Sequence, residues 1–181
     1  MAKKILYVMV ISLMVLTGCS VEVVSDDEVK KEKTFKDKQT YLLNFINKDI
    51  EKIANHETKA NLALGTVAGA NFRSDKELHE MLTNTVLPEY EKAVQATKEL
   101  DVEMKELEPL VKLLKDSIST YYEGLLLEKE ALEKRDMNIL EESNAKAEEY
   151  FVIINQYHDG MKKLAKKYKI DYEPSFFNKG Q

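Results

Sequence analysis

The chain has 181 residues, 27 Lys and Arg against 32 Asp and Glu, a formal charge of −5, one cysteine, three prolines, six glycines and no tryptophan. The acidic balance does not suggest a nucleic-acid partner, the lone cysteine excludes an internal disulfide framework, and the sparse Gly and Pro leave little for β turns. Its length suits one domain that can bury its own core.

The start of the chain carries an address. Met1-Ala2-Lys3-Lys4 is short and cationic, and the run from Ile5 to Leu16 is apolar except for Ser12. Small residues follow at Thr17 and Gly18, which completes a secretory signal layout. A helix that spans a bilayer needs roughly 20 apolar residues, so this run is too short, and the charged Ser25-Asp26-Asp27-Glu28 soon ends it. Leu16-Thr17-Gly18-Cys19 resembles, at all four positions, the lipobox of bacterial lipoproteins of the signal peptidase II type. The resemblance implies that a diacylglyceryl group is joined to the Cys19 sulfur, that cleavage follows Gly18, and that Cys19 is the lipid attachment site and the new N-terminus. It also implies a lipoprotein held on the extracytoplasmic face of a cell membrane by acyl chains such as palmitate. Two chains hold a protein stably where one holds it only reversibly. An uncleaved signal anchor is the competing reading.

On this reading the chain divides into a signal peptide at 1–18, a lipidated N-terminus and tether at 19–33, a helical bundle at 34–172 and a tail at 173–181. The tether is charged and lacks a steady apolar period, and its end could instead extend the first helix. From Thr34 onward the period is helical. Phe35, Leu42, Phe45, Ile46, Ile50, Ile53, Ala60, Ala63 and Leu64 recur mostly at spacings of three, four and seven, which predicts one helix ending near Leu64. Gly65 to Asn71 holds two glycines and predicts a loop.

Ser74-x-x-Glu77 has the form of a capping box and opens a second helix. Its stripe runs from Leu78 through Tyr90, Val94, Thr97, Leu100 and Met104 to Leu107, and because the stripe resumes at Tyr90, Pro88 predicts a kink rather than a stop. Pro109 is placed to start a third helix, with Val111, Leu114, Ile118, Tyr121, Leu125 and Leu132 as its seam and Gly124 as a point of close approach. Lys134-Arg135-Asp136 leaves room only for a tight turn, which makes antiparallel neighbours. Asp136 or Asn138 could cap a fourth helix carrying Leu140, Ala147, Tyr150, Phe151, Ile154, His158, Met161, Leu164, Ala165 and Tyr168. The expected fold is all-α, an elongated up-down antiparallel bundle of four helices. In general style it resembles small helical lipoproteins of Gram-positive bacteria with no assigned role.

Chemistry is sparse in this pattern. His56, Glu57, His79 and Glu80 are the candidates for a small metal or ligand site, since His56-Glu57 lies on the first stripe and the second helix starts beside its far end. The competing reading is a hydrogen-bonded polar layer that fixes bundle register. No His has Glu three residues before it and His-Glu-x-x-His is absent, so no metal and no cofactor is expected. Neither a catalytic Ser/His/Asp spacing nor a phosphate loop is seen, so the chain reads as a binding protein and not an enzyme. Lys162, Lys163, Lys166, Lys167 and Lys169 could meet anionic lipid or polymer, or simply complement the helix dipole. The expected partners are the membrane, through lipid on Cys19, and a protein or envelope polymer. A ligand or metal held at the His/Glu positions is the alternative.

Overall fold

The computed structural model describes residues 34–174, which form four helices and no strand among the described residues. Helix α1 starts at Thr34. The Thr34 hydroxyl accepts the Asp37 N–H at 3.2 Å and the Asp37 carboxylate accepts the Thr34 N–H at 3.0 Å, so two end groups are satisfied together. The helix then runs without a break through Phe35–Asn44, a π-helical turn at Phe45–Ile50, and Glu51–Gly65. That wide turn has a reason in the sequence. Eight residues separate the buried Phe45 and Ile53, which in a straight α-helix would leave them about 80° apart. Absorbing one extra residue brings both onto the core face.

Two glycines and a 3-10 turn at Gly69–Asn71 form the expected loop, and Gly69 takes φ +58°, the left-handed region that glycine enters without strain. Helix α2 comprises Asp75–Met81, a second π turn at Leu82–Val86, and Leu87–Lys98. Ser74 caps it by accepting the Glu77 N–H at 3.2 Å. The reciprocal half of the capping box is replaced, because the Glu77 carboxylate lies toward Arg73 at 3.9 Å. Pro88 does not stop the helix. The π turn just before it shifts the bonding pattern, with the Leu87 N–H reaching the Leu82 carbonyl, so the helix passes the residue that lacks a donor.

The second helix ends sooner than its stripe suggests. It stops at Lys98, and residues 99–107 are irregular although Met104 and Leu107 stay buried. Tertiary partners replace the helical bonds there. The Lys115 ammonium donates to the Leu100 carbonyl at 3.1 Å, and the Glu103 N–H donates to the Tyr41 hydroxyl at 3.0 Å. Spacings of three and four are kept, but by turns rather than by a helix.

Helix α3 is Glu108–Lys134, with Pro109 in its first turn, and helix α4 is Met137–Lys167. Between them Arg135 takes φ 55°, the Asp136 N–H bonds the Ala131 carbonyl at 3.1 Å, and the Asp136 carboxylate accepts the Asn138 N–H at 2.9 Å. One turn therefore ends one helix and caps the next. Where they pack, Gly124 meets Ser143, whose hydroxyl donates to the Gly124 carbonyl at 2.9 Å. A Cβ at position 124 would lie 3.2 Å from Lys146 Cβ, tight enough that a larger residue would press the two helices apart by a few tenths of an ångström.

Apolar side chains from all four helices meet in one core, which includes Leu42, Leu82, Tyr90, Ile118, Tyr150 and Met161. Each such side chain contributes about 1.5–3 kcal/mol by leaving water. Several expected stripe members, Leu140 and Ala147 among them, do not join it. Phe35 is 51% exposed, with its ring 5.2 Å from Tyr168, and Phe151 is 46% exposed, with its ring against Tyr150. Helix α1 packs along α2, α2 along α3, and α3 most extensively along α4. The fourth side, α1 facing α4, has no comparable close packing.

Candidate functional site

On that fourth side lies a cavity of about 500 Å³. Its volume is in the range that holds small organic ligands. Helix α1 contributes Ile46 and Ile50 from the π turn, then Ile53, Ala54 and Glu57. Across from them stand Leu114 of α3 and Tyr150, Ile154, Tyr157 and His158 of α4. The wall is completed by Tyr172, Glu173 and Pro174, which follow the end of α4. A left-handed turn at Lys169 and a 2.9 Å bond from the Ile170 N–H to the Ala165 carbonyl turn the chain here. The Tyr172 hydroxyl and His158 Nδ1 then share a 2.8 Å hydrogen bond.

Glu57 is the unusual group. It is only 6% exposed, and the Tyr90 hydroxyl donates to its Oε1 at 2.8 Å. No Lys, Arg or His forms an ion pair with it among the described residues. Burial pushes its carboxyl up to about 7, and the Tyr90 bond offsets only part of that rise. Tyrosines surround it. Burial raises Tyr90, Tyr150 and Tyr157 well above the ordinary phenol range, with the Glu57 charge adding to each, and raises Tyr121 to about 12. The ring centroids of Tyr90 and Tyr121 are 5.1 Å apart and those of Tyr121 and Tyr150 are 4.8 Å apart, so the aromatic cluster is continuous. Burial, with Lys162 nearby, pushes His158 down to about 4, which leaves its imidazole neutral at pH 7. Tyr157 is 1% exposed, and the polar group beside its hydroxyl is the hydroxyl of Tyr172.

The four residues singled out in the sequence go to separate partners. His56 Nδ1 is 3.0 Å from the Glu89 carboxylate, which Lys92 and His56 together hold down to about 2. His79 Nε2 is 2.9 Å from Glu133, a carboxylate also held by Lys129. Glu80 is 3.8 Å from Lys76 on the exposed side of α2. Only Glu57 faces the cavity. Among the described residues no group of three or more His, Cys, Asp or Glu is gathered as a metal centre would need. His56 and His79 each join neighbouring helices, α1 to α2 and α2 to α3.

Tyr157 and Tyr172 were missed in the sequence. Tyr157 is three residues after Ile154 and four before Met161, so the same stripe could have passed through it rather than through His158. Tyr172 lies beyond the last helix, where periodicity gives no guidance. At the basic end of α4, Lys167 pairs with Glu106, while Lys162, Lys163, Lys166 and Lys169 are exposed. Cys19 and the pair Phe176-Phe177 lie outside the described residues. No helix of the described residues is long and apolar enough to cross a membrane. The chain matches no protein-family model, no curated protein and no solved structure.

Proposed function

We propose that this chain is a lipid-anchored binding protein of the extracytoplasmic membrane face, which takes a small ligand into the cavity between α1 and α4. The observation that carries the binding role is the cavity, with the buried carboxylate of Glu57 and the hydroxyl of Tyr157 in its wall. A side of a bundle that remains open around polar groups forgoes packing that apolar residues would supply. Occupation by a ligand with matching groups recovers that contact. The reading is of binding without catalysis. It is supported by the histidines, whose partners are Glu89, Glu133 and Tyr172, so none activates a serine or threonine hydroxyl among the described residues.

The anchor rests on Leu16-Thr17-Gly18-Cys19. The full-length chain, expressed in a bacterial host with lipoprotein processing, is expected to fractionate with membranes and to gain the mass of a diacylglyceryl group after loss of residues 1–18. Cys19→Ala is expected to lose the lipid. An unmodified thiol on the native chain, or a start upstream of Cys19, overturns the anchored reading.

A second reading has one observation in its favour. Phe151 and Val152 are 46% and 60% exposed on α4, where a protein or envelope polymer could dock on the helix face. Crosslinking from position 152 in intact cells tests it. Absence of any adduct at native expression sinks it.

A further inference from the structure

We infer that the cavity between α1 and α4 selects a small organic cation, an amine with an apolar body, whose charged head seats between Glu57 and the rings of Tyr150, Tyr157 and Tyr172. This deepens the ligand-binding reading above and rests on it. Charge sign is the first argument. Glu51, Glu57 and Glu173 are among the cavity's lining residues, and no Lys or Arg lines it. Glu51 and Glu173 are exposed, whereas Glu57 is almost fully buried. The acids therefore step inward from the surface to a single deep carboxylate.

Aromatic chemistry is the second argument. The negative face of a tyrosine ring attracts a cation, most strongly where water is excluded. Three tyrosines line the cavity beside the carboxylate, and the neighbouring imidazole of His158 adds no opposing charge at neutral pH. The third argument is the hydroxyl of Tyr157, 1% exposed, part of the lining and neighboured by the Tyr172 hydroxyl, which can accept an ammonium N–H or turn its oxygen dipole toward a quaternary head. Ile46, Ile50, Ile53, Leu114 and Ile154 give the wall an aliphatic stretch that suits a hydrocarbon body, and Asn47, Asn55 and Thr58 add polar groups from α1. An anion would meet three carboxylates there. A fully hydrated metal ion would leave the aliphatic wall uncovered.

The groups around Glu57 come from every packed element: Tyr90 from α2, Tyr121 from α3, Tyr150, Tyr157 and His158 from α4, and Tyr172 and Glu173 beyond it. None of them is a cation at pH 7. A bound amine would supply the missing counter-charge and favour the ionised carboxylate. Binding should therefore strengthen as pH rises from 6 to 8.

The test uses the full-length chain in detergent and benzyltrimethylammonium, which stays charged at every pH, with neopentylbenzene as its uncharged shape-mate and benzoate as an anion. Calorimetry is expected to show the cation bound roughly tenfold or more tighter than either control, with affinity at pH 8 several-fold above that at pH 6. Glu57→Gln is expected to remove most of that preference and the pH dependence, while Glu123→Gln on the outer surface changes neither. Thermal unfolding confirms that each variant is folded, and the comparison of probes on the unaltered chain needs no variant at all. If neopentylbenzene binds as well as the cation and Glu57→Gln has no effect, the cation class is wrong while the cavity remains a ligand site. If none of the probes binds at millimolar concentration, and Ile154→Trp shifts no property but stability, the ligand reading itself falls.

Discussion

The two flanks of α4 solve opposite packing problems. Toward α3, small residues let the backbones approach, and Gly124 and Ser143 join them by a direct hydrogen bond. Toward α1, the same helix presents Tyr150, Tyr157 and His158, and the facing helix presents Glu57 and a widened π turn. Bulk and polarity hold that side open where glycine closes the other. The lesson is that one helix can serve as both a structural seam and a binding wall, with the division written in residue size. Three sides of this bundle are closely packed, and the fourth is the side with the cavity.

Breaking the seam should have the largest effect. Gly124→Leu would drive a side chain into Lys146 Cβ and the Ser143 carbonyl, and is expected to cost about 3 kcal/mol. Urea unfolding measures it, and a loss below the error of the midpoint would mean that the seam is not tight. The open side should respond in the other direction. Because burial raises the Glu57 carboxyl to about 7, the folded chain holds that proton more tightly than the unfolded chain does. Its contribution is fully present below the ordinary carboxyl range and declines as pH rises through that range to about 7. Glu57→Gln removes the decline, so the variant is expected to be more stable than the parent by about 2 kcal/mol at pH 8 and nearly equal to it at pH 5. Parallel stability curves for the two proteins across this interval would contradict the buried carboxyl. The smallest of the three concerns the turn that joins α3 to α4. Asp136→Ala deletes the cap on the Asn138 N–H and should cost about 1 kcal/mol without altering the pH dependence that Glu57 imposes.

Much of this arrangement can be read before any coordinates. Pro109, the turn at 134–136, the Gly124 contact and the stripes of α3 and α4 follow from spacing, because long helices with one apolar face leave few alternatives. Residues 99–107 do not follow, since Lys115 and Tyr41 come from other helices to satisfy their backbone. The π turns escape too. A single absorbed residue is invisible to a period averaged over three turns, although the eight-residue step from Phe45 to Ile53 is its trace. At the candidate site, Glu57 stood out by lying on the first stripe, but the histidine beside it attracted the metal reading. Geometry separates the pair: His56 turns to Glu89 on α2, and Glu57 turns inward to Tyr90. The tyrosines read as core, which they are. Their second role, as a ring of faces around a carboxylate, depends on four segments converging, and no local pattern encodes that.

Tyr172 and Pro174 complete the cavity wall from beyond the last helix, so the short segment after α4 belongs to the chamber as much as the helices do. Trimming back to Lys169 would unroof the chamber while sparing the four-helix frame. Shortened and full-length versions should thus melt at nearby temperatures and differ only in how well they retain a small molecule, if the chamber is a binding site.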